Sequence, residues 1–255
     1  MKIKFLGTGT SHGVPLVNCT CPACSSTDPK NTRYRSSVWI HDRGTDILID
    51  TPAEFRLRAI EYRIPKIDAI LMTHGHADHI AGLDDIRIYN ERQSAAVPLY
   101  LDKNTKVEIL ARYSYIFQAT QEGGGKPKIE LKEITGPGSF TINETVVEPL
   151  KVKHGELMIT GFLINRVFAY VTDCSHMPEE TLNSITGVKV LVLNALRHEP
   201  HPTHFSLEQA VSTAAKAKAD KTLFTHIAHG LEYYATEKLL PPKMQLAYDG
   251  LEIEV

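Results

Sequence analysis

Four metal-binding side chains on one short loop, placed where a buried strand ends, limit what this chain can become. Ala69-Ile70-Leu71-Met72 reads as that strand, and Thr73-His74-Gly75-His76-Ala77-Asp78-His79 follows it directly. Three imidazoles and a carboxylate gathered so tightly cost free energy unless each is paired or coordinated. Mixed nitrogen and oxygen donors suit zinc, iron or manganese, whereas calcium and magnesium prefer all-oxygen sites. One ion would have difficulty accepting all four side chains from so short a turn, so the spacing points to two adjacent metals. The plain alternative is a His-rich surface loop.

Two metals need more ligands than one loop supplies. His154 stands where the strand-like Val147–Lys153 gives way to Gly155. Asp173 closes the apolar run Val167-Phe168-Ala169-Tyr170-Val171, and His226 closes Thr222-Leu223-Phe224-Thr225. All three lie at carboxyl ends of expected strands, where open α/β sheets place ligands. Singly, each could be a cap or a satisfied hydrogen-bond partner.

Their order is more specific. His-x-His-x-Asp-His, then His, Asp and His, resembles the metallo-β-lactamase superfamily of binuclear hydrolases, as do Leu6-Gly7-Thr8-Gly9 and Tyr248-Asp249-Gly250. The resemblance implies an αββα four-layer sandwich of the α/β class. It assigns His74, His76 and His154 to one metal, Asp78, His79 and His226 to the other, and Asp173 to the bridge. Asp78 and Asp173 would then serve both catalysis and metal binding. Paired cations would share a hydroxide and hold it for attack, and a carboxylate suits the bridge because it offers two oxygens.

Cys19-Thr20-Cys21-Pro22-Ala23-Cys24 holds three of the four cysteines. Met1–Leu6 reads as a first strand and not as a secretory leader, so a reducing, cytoplasmic setting is expected and clustered thiols point to metal or redox chemistry. Three thiolates need a fourth ligand for a closed tetrahedral zinc site. Cys174 is one candidate, but it follows Asp173. His229 is better placed, three residues after His226. Cys-x-Cys-x-x-Cys with His-x-x-His resembles the PhnP-type cyclic phosphodiesterase subgroup, in which these residues hold a structural zinc. The run Gly7–Pro15, which includes His12, looks like that subgroup as well. The site would staple a long loop, about 10–36, onto the body of the domain.

Leu196–Ser206 carries His198, His201 and His204. Prolines on both sides of His201 make the segment extended, and Ser206 with Gln209 reads as a capping box opening a helix from Leu207 to Lys218. By resemblance, His204 in its Thr-His-Phe-Ser frame stabilises developing phosphorane charge or protonates the leaving alkoxide, a task that suits an imidazole. His198 and His201 have no assigned role beyond lining the pocket. Asn194 departs from the Asp that the subgroup often carries there, which puts charge-based support at that position in doubt. Arg197 could meet an anionic substrate, although an arginine after a strand is more often an ion-pair partner.

At 255 residues with 42% apolar composition the chain can bury a full core. No linker divides it and ligands come from both halves, so one domain spanning 1–255 is expected; the glycine-rich 121–127 reads as a loop. Strands are expected at Lys2–Leu6, Val38–His41, Asp46–Asp50, Ala69–Met72, Val97–Leu101, Ile129–Ile134, Ile159–Ile164, Val167–Thr172, Val188–Asn194 and Lys221–Thr225. Helices are expected near 53–62, 83–93, 104–117, 178–184, 206–218 and 233–239. A net charge of −2 gives no long-range pull on a polyanion, and no run reaches the ~20 apolar residues of a membrane span.

The leading expectation is a metal-dependent phosphodiesterase acting on a small, cyclic or nucleotide-like ester, with two active-site zinc or manganese ions and one structural zinc. No extended nucleic acid and no membrane partner are expected. The alternatives are a tRNA 3′-processing endonuclease, which would need a basic substrate arm, a thioester or lactone hydrolase, and a non-catalytic metal- or ligand-binding module.

Overall fold

The strand pattern described by the computed structural model, over residues 1–119, 125–136 and 138–255, is two sheets built alike. The first part of the chain supplies β1 (Lys2–Gly7), β2 (Ser37–Asp42), β3 (Thr45–Ile49), β4 (Ala69–Leu71), β5 (Val97–Leu101) and β6 (Ile129–Glu133). There follow β7 (Phe140–Ile142), β8 (Thr145–His154), β9 (Leu157–Ile164), β10 (Phe168–Val171), β11 (Val190–Asn194), β12 (Lys221–Thr225), β13 (Met244–Leu246) and β14 (Glu252–Glu254). One sheet runs β14-β1-β2-β3-β4-β5-β6 and the other β13-β12-β11-β10-β9-β8-β7. In each, an antiparallel meander passes into parallel strands, at β3 in the first sheet and at β10 in the second.

Alternation along the strands decides the layering. Ile47, Ile49, Phe168, Tyr170, Val190 and Val192 meet between the sheets. Leu48 faces outward onto a cluster containing Phe55, Ile86 and Tyr89, which lies under α1 (Phe55–Glu61), α2 (Ala77–Ile80), α3 (Arg87–Gln93), α4 (Lys103–Arg112) and α5 (Ser114–Phe117). Ala169, Leu191 and Leu193 face the other way, under α6 (Glu179–Ser184), α7 (Leu207–Ala217) and α8 (Tyr233–Glu237). Helices cover both outer faces, which is the αββα sandwich. Central strands buried on both faces read as unbroken apolar runs for this reason, and each fully buried Ile or Leu contributes about 1.5–3 kcal/mol.

Local detail follows the sequence closely at α7. Ser206 and Gln209 form the capping box, and Lys218 caps the other end in the left-handed region at φ 52°. The expected helix over 104–117 is two helices, because Tyr113 leaves helical geometry and its hydroxyl donates to the Ile80 carbonyl at 2.7 Å. The short strands β7, β13 and β14, and helix α2, were not anticipated. Part of the glycine-rich stretch, 121–124, lies outside the described residues.

Gly7 and Gly9 show why the first loop begins as it does. The returning chain passes so close that a Cβ would stand 2.0 Å from the Arg35 carbonyl oxygen at Gly7 and 2.7 Å from that of Arg33 at Gly9. Asp249 ties off both ends of the loop, accepting from the Thr8 hydroxyl and the Tyr34 amide at 2.7 Å each. Burial pushes its carboxyl up to about 7 despite these hydrogen bonds.

Candidate metal centre and catalytic cleft

The loop after β4 changes direction at His76, and that turn sorts its ligands. His76 is extended (φ −68°, ψ 152°) and serves as N-cap of α2. His74 and His76 therefore project from extended chain, while Asp78 and His79 sit on the first helical turn. His74 and His76 meet His154 at the end of β8; Asp78 and His79 meet Asp173 and His226. In each group the ligand atoms lie within 4.8 Å of one another. Asp173 also groups with His154 and His204, so it stands within 4.8 Å of a member of each set.

Backbone strain marks the same strand ends. Asp50 after β3, Asp173 after β10 and His226 after β12 have φ of 61°, 56° and 55°. Left-handed geometry at a residue other than glycine costs of order 1–3 kcal/mol and persists where surrounding structure enforces it. Here it swings each side chain from the sheet edge into the space between the sheets' carboxyl ends.

Hydrogen bonds fix which ring nitrogens face inward. His154 Nδ1–H donates to the Thr203 carbonyl at 2.7 Å. His79 Nδ1–H donates to Asp50 Oδ2 at 2.7 Å. Asp50 also accepts from the Thr73 amide and hydroxyl at 2.9 and 2.8 Å, which leaves that hydroxyl free to accept from His74 Nδ1 at 3.1 Å. Three buried nitrogens then have no hydrogen-bond partner: His74 Nε2, His79 Nε2 and His226 Nδ1. An unpartnered buried polar atom costs about 1–3 kcal/mol, and all three belong to the clusters of mutually facing donors. The donor set fits divalent cations.

Charge in the cluster supports the same fit. Burial drives His74 well below the usual imidazole range and His226 down to about 4, leaving neutral lone pairs. Burial alone would raise Asp173, but His226 and His79 hold it well below the carboxylate range. Burial would likewise lower His79, yet Asp173, Asp50 and Asp78 push it well above its ordinary value. Three carboxylates round one imidazole draw positive charge to this point.

His204 Nε2 lies 3.1 Å from Asp173 Oδ1, and its ring stacks on His226 at 4.9 Å. Its Nδ1 meets the Thr203 hydroxyl at 2.9 Å and His201 Nδ1 at 3.2 Å. His201 thus stands directly behind His204, and His198 is exposed. Asn194, fully buried, accepts from the Cys174 amide at 2.7 Å and donates to the Cys174 carbonyl at 3.1 Å. It clamps the turn that carries Asp173, and an ionised aspartate could not make the second of these bonds. Arg197 makes no ion pair among the described residues; its guanidinium donates to the carbonyls of Glu199 and Pro200. A cleft of about 420 Å³ opens beside His204 and is lined also by Thr10, Ser11, His12, Arg197 and His201.

Cys19, Cys21, Cys24 and His229 form a second group within the same 4.8 Å limit. His229 Nδ1 lies 3.3 Å from both Cys19 and Cys21 sulfurs. Hydrogen bonding from the Cys24 amide holds Cys21 down to about 6, while burial pushes Cys24 up to about 11. A cation among them would let all three ionise. Cys174 is not part of the group: it lies in the apolar core under α7, and burial pushes its thiol up.

Two contributors escaped sequence reasoning. Asp50 ends the apolar run of β3 as Asp173 follows that of β10, a parallel that could have flagged it. Lys30 gave no such signal: its ammonium sits 4.5, 4.9 and 5.5 Å from the ring centres of Tyr233, Tyr248 and Tyr234.

Residues 44–227 match the model of the beta-lactamase superfamily domain. A solved structure described as a new diphosphatase from the PhnP family is 41% identical, with TM-score 0.93, covering 100% of this chain and 96% of that one. Zn(2+)-bound PqqB from Methylobacterium extorquens has TM-score 0.83 at 18% identity, with full coverage of both chains, a likeness of fold alone. An octanoyltransferase of Porphyromonas gingivalis is 35% identical over 99% of this chain, which spans only 51% of that protein's length.

Proposed function

That this chain belongs to the metallo-β-lactamase superfamily, as a PhnP-like member, is the premise from which we propose a metal-dependent phosphodiesterase acting on a small or cyclic, nucleotide-like ester. The coarser reading, a metallo-hydrolase, has the support of the diphosphatase neighbour and of the ligand clusters. The observation that carries the finer one is His204, whose Nε2 stands 3.1 Å from Asp173 Oδ1, between the two ligand groups.

His74, His76 and His154 would hold one zinc or manganese ion, Asp78, His79 and His226 the other, with Asp173 shared. Bound there, the cations supply Lewis-acid stabilisation of phosphoryl oxygens and a water acidic enough to attack at neutral pH. Asp50 keeps the His79 proton on Nδ1, and Thr203 keeps that of His154 on Nδ1, so that both rings present Nε2. His204 carries its proton at Nε2 above Asp173, the atom from which it passes to the leaving oxygen. Thr203 and His201 hold the opposite side of that ring. Cys19, Cys21, Cys24 and His229 take a structural zinc that fastens the loop 10–36. The chain works as one unit, because each site draws side chains from distant parts of the sequence. We place it in the cytoplasm; no helix of the described residues is long and apolar enough to cross a membrane.

A turnover screen with zinc- and manganese-loaded protein tests the reading, comparing aryl phosphodiesters, 2′,3′- and 1,2-cyclic phosphates, and thioesters. Phosphodiester turnover should appear and should fall about 10²–10⁴-fold in His204→Ala, the usual worth of a general acid. Hydrolysis of thioesters alone would sink it. That arm of the screen is included because a relative described as an octanoyltransferase is 35% identical to this chain over about half of its own length.

A further inference from the structure

The cleft beside His204 carries a guanidinium that hydrolysis at the metals does not use. Arg197 donates through Nε to the Glu199 carbonyl at 3.3 Å and through Nη2 to the Pro200 carbonyl at 3.0 Å. These bonds hold the planar group against its own loop but give it no counter-charge. Among the described residues no carboxylate pairs with it, and Nη1 makes no hydrogen bond. Glu199 lines the same cleft and contributes its backbone, not its carboxylate, to holding Arg197. A charged fork held at one edge by its own loop and free at the other offers unused donors to a carboxylate or phosphoryl group.

Position decides which part of a substrate meets it. The cleft of about 420 Å³ runs from His204 to Arg197, a volume within the range of small-ligand sites. If His204 faces the leaving oxygen, as the proposed function holds, whatever fills this cleft is the leaving group. We propose that Arg197 binds a second anionic centre, phosphoryl or carboxylate, on the leaving-group side of the substrate. The preferred substrates are accordingly esters with at least two anionic groups, and simple mono-anionic diesters are poor ones.

The test compares wild type with Arg197→Gln and Arg197→Lys, each loaded with zinc or manganese. One substrate is bis(4-nitrophenyl) phosphate, with a single negative charge; the other is a dinucleoside diphosphate. Arg197→Gln should lower kcat/KM on the diphosphate at least about tenfold more than on the mono-anionic diester, mainly through KM, the worth of one charge-assisted hydrogen bond. Arg197→Lys should recover part of that difference. Equal losses on both substrates would make Arg197 a brace for its loop and overturn the inference.

Equilibrium titration supplies a readout independent of turnover. Wild type should bind pyrophosphate or phosphonoacetate more tightly than orthophosphate, and Arg197→Gln should lose that preference. The stronger of the two ligands tells whether the second anion is phosphoryl or carboxylate. No preference in wild type would also overturn the inference. A wild type that hydrolyses no phosphate ester would remove the proposed function, while the titration would still decide the role of Arg197.

Discussion

The two ligand clusters contrast in what holds them. Every member of the nitrogen–oxygen cluster sits at a strand end or on the loop after one, and its members at the centre, His74, His79, Asp173 and His226, are buried to within 2%. Its geometry is imposed by two sheets and by left-handed turns. The cysteine cluster hangs on loops, its four residues half-buried, and it joins segments far apart in sequence. The first is a cluster that the fold prepares by itself. At the second, an ion as proposed above would help to complete the fold, beside protein contacts that already hold it. Arg33, almost wholly buried, donates to the Ala228 carbonyl, Asn31 bonds Glu232 and the Tyr233 amide, and Lys30 enters the tyrosine cage.

Asp173→Ala should break the contrast most sharply. Turnover should fall on the order of a thousandfold, the scale of several kcal/mol of lost transition-state stabilisation. Elemental analysis should show loss of the active-site ions with the thiolate-bound one retained. If all ions left together, the clusters would not be independent. Asp50→Asn comes next: metal affinity or activity should drop about 10–100-fold, as for other partners of metal-ligating histidines. An unchanged affinity would deny Asp50 its role in fixing His79.

Cys21→Ser acts on the other side of the comparison. One equivalent of zinc should be lost and Tm should fall, at about 2–4 °C per kcal/mol for a chain of this size, while kcat with both active-site ions present stays within a few fold. A collapse of kcat would show that the loop site shapes the catalytic one. Asp249 tests the loop's protein-only fastening through pH. Its carboxyl is raised to about 7 in the folded chain and stands at about 3.9 unfolded. Between these values the folded state binds more protons, so wild type should lose stability relative to Asp249→Asn as pH rises, with no further change above about 7. A flat difference in urea unfolding would refute it. Lys30→Met should have the smallest effect, about 1 kcal/mol from the lost cation–π contacts, seen as faster proteolysis of the loop with zinc still bound.

Much of the first cluster was legible because both its residue types and its places are stereotyped. His74 to His79, His154, Asp173 and His226 all follow apolar runs, and such runs can be read without a structure. Asp50 follows one too, but a single strand-ending carboxylate resembles any cap. The loop's fastening left little trace, since Lys30 meets its tyrosines across some 200 residues of chain and no local pattern records such a meeting. Asn194 was legible as a departure but not as a gain. Only the Cys174 backbone, facing both ends of its amide, shows why an uncharged side chain serves there. The sequence assigns His201 no role beyond lining the pocket, because its contact with His204 depends on how that loop folds back.

Asp249, which seals the loop's two ends, also sets a schedule. During synthesis Cys19, Cys21 and Cys24 and the turn from His74 to His79 are made well before His226, His229 and Asp249. Neither cluster can close until those later residues have left the ribosome. In that interval the thiols and imidazoles stand exposed together, with no folded site yet built to sort them.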